Sequence, residues 1–159
     1  MRTSKTAQPC PEISQEDKEC LATFVSMEGF KAWMLWDSGS TTTGITPTFA
    51  QVAEITVFPL SNLHMLQLGT VSSCSTVNFG TETLVTAPGV NSTTYMDIAN
   101  FDRYNMIIGT PFMRANRVHL DFEHDWVVVN GVATPATKVL LSDTDRRLHR
   151  YRTTDKRKN

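Results

Sequence analysis

From residue 21 onward the chain reads as short apolar bursts separated by polar or small residues. Leu21-Ala22-Thr23-Phe24-Val25 is rich in β-forming side chains and predicts a strand. Met27-Glu28-Gly29-Phe30 supplies a hairpin turn, with residues 31–36 returning. Residues 45–53 predict a short helix with Pro47 in its first turn, and Pro59 is expected to break the chain after residues 55–58. Residues 64–69 and 76–80 are β-prone and flank small residues at 70–75, which predicts a hairpin with an exposed tip. Two more strands are expected at 83–86 and 94–98, turned at Pro88-Gly89. Met106-Ile107-Ile108 ends in Gly109, and Pro111 opens a short helix through Asn116. Residues 118–122 alternate with period two, and residues 126–129 turn at Asn130-Gly131, a further hairpin signal. Many short strands with one or two short helices predict an all-β, barrel-like fold.

Length and composition narrow this picture. A chain of 159 residues with 40% hydrophobic content suits one globular domain. No apolar run approaches the ~18–20 residues of a membrane span, so no membrane partner is expected. Residues 1–10 are polar and lack the apolar segment of a secretory signal. A cytoplasmic or nuclear setting is therefore expected, and the Asn91-Ser92-Thr93 acceptor would carry no glycan. Residues 145–159 hold seven Lys/Arg and two acids, leaving eight and fourteen in residues 1–144. That divides the chain into a polar, acidic leader (1–19), a folded domain (20–132) and a basic tail (133–159), expected to be disordered. Nucleic-acid contact is expected at most weakly, through the tail. Cys10, Cys20 and Cys74 are odd in number without C-x-x-C spacing, which predicts free thiols. The four histidines show no metal-ligand spacing, so neither metal nor cofactor is expected.

The informative stretch is Trp33-Met34-Leu35-Trp36-Asp37-Ser38-Gly39-Ser40, followed by Thr41, Thr42 and Thr43. An apolar strand ends abruptly in a carboxylate, Gly39 permits a sharp turn, and hydroxyls and backbone N–H groups can hold the acid at the strand end. That arrangement presents one carboxylate on the floor of a cleft. The same letters also fit a plain strand-ending turn, or a phosphorylation-dependent degradation signal.

The stretch resembles the D-[ST]-G-[AS] signature of aspartic proteases. The order of elements over residues 20–132 resembles the retroviral-type (retropepsin) domain, especially that of long-terminal-repeat retrotransposons. A hairpin precedes Asp37-Ser38-Gly39, a second hairpin lies where that family has its flap, and Ile107-Ile108-Gly109 followed by a short helix matches the family's hydrophobic-hydrophobic-Gly element. The resemblance implies a small closed β-barrel, with Asp37 as the catalytic carboxylate. Ser38 would bridge to a partner subunit, Gly39 and Ser40 would complete the loop, and Ile107, Ile108 and Gly109 would support it from behind. Leu68, Gly69, Thr70, Val71, Ser72, Ser73, Cys74 and Ser75 would form the flap over bound substrate. Trp36 stands where the family usually has a smaller aliphatic residue, and Ser72, Ser73 and Cys74 replace its usual tip glycines.

The implied activity is endopeptidase hydrolysis of extended, apolar-flanked segments, such as those of a retroelement polyprotein, in the cytoplasm, the nucleus or a virus-like particle. Asp97, Asp102, Asp121 and Asp125 lack a following small-Gly pair, so a second catalytic aspartate has to come from a second copy of the chain. A homodimer and a peptide or polyprotein substrate are the expected partners. A hydroxyl at Ser40 is further expected to donate to the outer oxygen of the nearby carboxylate; the alternative is that it hydrogen-bonds its own loop, with Thr41 to Thr43 as equivalent neighbours. The alternatives are a catalytically silent barrel kept as a binding or dimerisation module, and a plain β-barrel interaction protein.

Overall fold

β1 (Ala22–Met27) and β2 (Phe30–Trp36) form the expected hairpin, with Met27 opposite Phe30. Glu28 and Gly29 sit at φ 50° and 80°, the pair of left-handed residues that a two-residue turn needs to match the strand twist. The computed structural model describes residues 1–67 and 74–136; a short 3-10 turn at Glu16–Lys18 precedes β1. β3 (Gly44–Ile45), α1 (Pro47–Val52), β4 (Phe58–Gln67), β5 (Cys74–Ala87), β6 (Val90–Ile98), β7 (Met106–Ile108), α2 (Thr110–Ala115), β8 (His119–Asp121), β9 (Trp126–Val129) and β10 (Val132–Pro135) follow.

The main sheet runs β1-β2-β7-β3-β6-β5-β4. Ser26 of β1 also pairs with Thr86 of β5, which closes six strands into a barrel and leaves β4 on the outside. β10, β9 and β8 make a second, three-stranded sheet. The fold is therefore the all-β closed barrel with two short helices that the pattern predicts.

The two helices begin where proline signalled them. Thr46 caps α1, its hydroxyl oxygen accepting the Phe49 N–H at 3.2 Å, and Phe49 and Ala50 turn into the core. α2 buries Phe112 and Met113. Asn130 and Gly131 sit at φ 48° and 83°, closing the predicted turn between β9 and β10.

Pro59 does not break the chain. It lies inside β4, opposite Phe79, with the register shifting between Pro59 and His64. β4 is an edge strand, where a missing N–H leaves no ladder bond unmade. The strands expected at 76–80 and 83–86 are one continuous β5, which pairs with β4 on one side and β6 on the other. Gly80 interrupts the sequence pattern but not the strand, because the Tyr95 ring of β6 lies over it, 2.7 Å from where a Cβ would stand. Cys74 and Ser75 pair with Gln67 and Leu66, so they belong to the hairpin arm rather than its tip.

The barrel interior explains why β2 is apolar without alternation. Ala32, Trp33, Met34 and Trp36 are all buried, since β2 is covered on both faces. Each large side chain buried here contributes roughly 1.5–3 kcal/mol. The extra bulk of Trp36 is absorbed by a polar and an apolar contact. Its indole N–H donates to Thr23 Oγ1 at 2.9 Å, and its ring centroid lies 6.2 Å from that of Phe112.

Candidate active site

β2 and β7 run parallel, with Trp36 beside Ile108. Two neighbouring strands thus end at the same level, one leading into Asp37 and the other into Gly109. The segments beyond are tied to each other rung by rung. The Asp37 N–H donates to Ile108 O at 3.0 Å, the Thr110 N–H to Ser40 O at 2.9 Å, and the Gly109 N–H to Thr43 Oγ1 at 3.1 Å. A Cβ on Gly109 would collide with the Thr42 carbonyl and lie 2.9 Å from Ser40 O, so only glycine lets the loop lie this close. Ile108 is buried behind the loop, and Ile107 is half-buried opposite Gly44 of β3.

The Asp37 carboxylate is oriented by its own loop. Oδ1 accepts the Gly39 N–H at 2.9 Å, while the Ser40 N–H closes the turn on Asp37 O at 3.1 Å. Asp37 is half-buried, and Ser38 and Gly39 are exposed at the apex. The arrangement offers a fixed carboxylate on a rigid base beside an open surface.

Ser40 takes the second of its two expected roles, bonding its own loop. Its hydroxyl donates to Thr42 O at 2.7 Å and accepts the Thr42 N–H at 3.2 Å. A short serine side chain two residues from its own loop carbonyl finds that partner first, so it stiffens the loop instead of addressing Asp37. The hairpin arms expected to carry a flap are present as β4 and β5, paired from His64↔Val77 to Gln67↔Cys74. Ser75 is exposed on that arm; Leu68, Gly69, Thr70, Val71, Ser72 and Ser73 lie outside the described residues.

A second polar constellation escaped the sequence reading. Asp97 is 1% exposed. Its Oδ1 accepts the Tyr95 hydroxyl at 2.8 Å and sits 3.1 Å from His64 Nε2, joining β6 to the arm β4. Partial burial pushes the Tyr95 phenol up to about 12, reinforced by the hydrogen bond to Asp97 and its charge, so the phenol stays a donor. The period-two spacing of Tyr95 and Asp97 was a usable signal for a same-face pair; nothing in the sequence places His64 across from them. These three residues line a pocket of about 730 Å³ with Thr41, Thr42, Thr43 and Phe112; Asp37 is not among its walls.

Asp121, Glu123 and His124 bring ligand-type atoms within 4.8 Å of one another on an exposed turn. The Asp121 carboxylate is already committed there. It accepts the backbone N–H groups of Glu123 and His124 on Oδ1 and meets His124 Nδ1 at 2.9 Å on Oδ2. The His124 side-chain bond first, then its backbone N–H, holds this carboxyl below the usual range. The cluster is a turn cap.

Two solved structures share the architecture. The retroviral protease-like domain of Ddi1 from Leishmania major superposes with a TM-score of 0.57 at 10% identity, over 82% of this chain and 96% of that one. The chain has a retropepsin-like fold. The EIAV protease, solved with the inhibitor HBY-793, matches this retropepsin-like domain with a TM-score of 0.52 at 17% identity, over 69% of this chain and all of its own. No family model and no curated protein sequence matches the chain.

Proposed function

We propose that this retropepsin-like domain is an aspartic-type endopeptidase that works as a homodimer on extended, apolar-flanked peptide segments, such as those of a retroelement polyprotein. The observation that carries the reading is the seating of Asp37: a half-buried carboxylate at a strand end, in a loop locked to Ile108, Gly109 and Thr110 by three hydrogen bonds. A lone carboxylate cannot be both acid and base in one step. Two held close by a twofold axis share one proton, because both cannot ionise readily. The ionised member takes a proton from water, whose oxygen adds to the peptide carbonyl carbon. The protonated member donates to the carbonyl oxygen, and collapse of the tetrahedral adduct breaks the C–N bond as the amine is protonated. Backbone groups of the β4–β5 arm suit an extended peptide laid beside them.

Asp37→Asn tests this. The amide oxygen still accepts the Gly39 N–H, so the fold should hold within about 0.5 kcal/mol. Hydrolysis of an unstructured apolar-rich protein should fall by about 10²–10⁴-fold or more. Full activity in the purified variant would remove Asp37 from the chemistry. A wild-type dimer with no hydrolysis would leave the silent binding or dimerisation module as the better reading.

A further inference from the structure

The pocket lined by Asp97 takes in Thr41, Thr42 and Thr43, just past the Asp37 loop, and His64 on the arm β4. The pocket therefore borders both elements between which a bound peptide would lie. Three features describe what it would accept. First, Asp97 is all but fully buried, yet among the described residues its Oδ2 has no hydrogen-bond partner, both contacts falling on Oδ1. A carboxylate oxygen with no protein donor on it favours whichever ligand brings one. Second, among the described residues Asp97, His64 and Tyr95 are the ionisable side chains of the wall, and none of those described is a Lys or Arg that would answer the carboxylate. Third, the remaining wall is uncharged and includes five threonines and the rings of Phe112 and Tyr95, beside Ser92, Pro111, Ala115 and Asn116. Hydroxyls accept from a cationic head, and aromatic faces suit both its methylene stem and its charge.

We propose that this pocket is a cation-selective subsite, with Asp97 as its specificity-determining residue. It takes a Lys or Arg side chain of the bound peptide at a position set back from the cut bond. The proposal rests on the endopeptidase reading for the word substrate, but not for the binding preference itself. His64, half-exposed on the arm, closes one side by its contact to Oδ1 and leaves Oδ2 to the ligand. The residues beside the cut bond remain apolar; the basic residue is read separately.

The test uses the full chain and a set of otherwise identical apolar-centred peptides. Lysine, norleucine, arginine, citrulline or glutamate is placed in turn at each of about four positions either side of the cut, the span of an extended segment along the cleft. Cleavage is read as kcat/KM on the wild type, and affinity is read on the Asp37→Asn protein, which holds peptide without turning it over. At one position lysine should exceed norleucine, and arginine citrulline, by about tenfold in both readouts, with glutamate disfavoured. Asp97→Asn keeps the side chain's volume and an acceptor for the Tyr95 hydroxyl, and it should bring the lysine-to-norleucine ratio close to one. Lysine and norleucine bound and cut alike at every position would overturn the subsite while leaving the endopeptidase standing. A ratio that survives Asp97→Asn would also overturn it. Selective binding lost with Asp97→Asn, in a chain that never hydrolyses peptide, would uphold the subsite and sink the endopeptidase. The comparison between ligands needs no variant, so it decides the matter even if Asp97→Asn misfolds.

Discussion

Tyr95 bridges two functions of β6: its ring covers Gly80 of the neighbouring strand, and its hydroxyl donates to Asp97. Its phenol is pushed from 10.0 up to about 12 in the folded chain, so between those values the unfolded state sheds a proton that the native state keeps. Fewer protons bound in the unfolded state means that stability falls as pH rises through this window. Urea midpoints of the wild type should therefore drop from pH 10 to 12 more steeply than those of Tyr95→Phe. Parallel slopes would show that folding does not raise the phenol. Ser40 gives a second prediction. Its hydroxyl is spent on Thr42, so Ser40→Ala should cost about 0.5–1.5 kcal/mol in urea unfolding. The acid limb of the kcat/KM profile should stay in place, whereas a donor aimed at Asp37 would move it. Asp37 was legible in the sequence because its neighbours are contiguous: an apolar strand, then a carboxylate, then a turn-forming glycine. The Ser40 contact was legible only as one of two alternatives, since a hydroxyl beside both a carboxylate and a loop carbonyl has two partners within reach, and only the backbone path chooses between them. His64 was invisible for a different reason. It meets Asp97 across 33 residues of chain, through a register set by a bulge after Pro59.

At the level of elements, the active-site loop and the start of α2 behave as one unit joined by close backbone approach. Gly109 is the tightest point, with a would-be Cβ driven into the Thr42 carbonyl. Backbone cannot yield as a flexible side-chain tip does, so Gly109→Ala should destabilise by about 1–3 kcal/mol or more. It should also lower kcat/KM out of proportion to the folded fraction, because the Asp37 loop must shift. Thermal melts and activity measured together check this, and activity that simply tracks the folded fraction would mean the loop tolerates the displacement. Elements built from contiguous signals were readable: the Glu28-Gly29 and Asn130-Gly131 turns, Pro47 and Pro111 at helix starts, and the paired runs at 64–67 and 76–80, though not that the second arm begins earlier, at Cys74. Those that depend on tertiary partners were not. β5 reads as two strands because Gly80 looks like a break, until the Tyr95 ring supplies the missing side chain. Pro59 reads as a stop until β4 is known to be an edge, where an absent N–H costs the ladder nothing.

For the whole molecule, the closed barrel gives each chain the Asp37 carboxylate at a strand end, with Ser38 and Gly39 exposed beside it. If activity belongs to a pair of chains, it must follow the concentration of pairs rather than of chains. Specific activity should then rise with dilution reversed, and level off once nearly all chains are paired. Mixing gives the sharper test. Wild type and Asp37→Asn share a fold and an interface, so they should assort freely, and at equal amounts about half of the wild-type chains end in mixed dimers. Activity per wild-type chain should therefore fall to about half, and at a ninefold excess of the variant to about a tenth, as the wild-type fraction sets the chance of meeting an intact partner. A monomeric enzyme would keep its activity per wild-type chain at every ratio. The titration, run at one fixed total concentration well above the pairing range, separates the two, and a flat line would end the argument from a single Asp37.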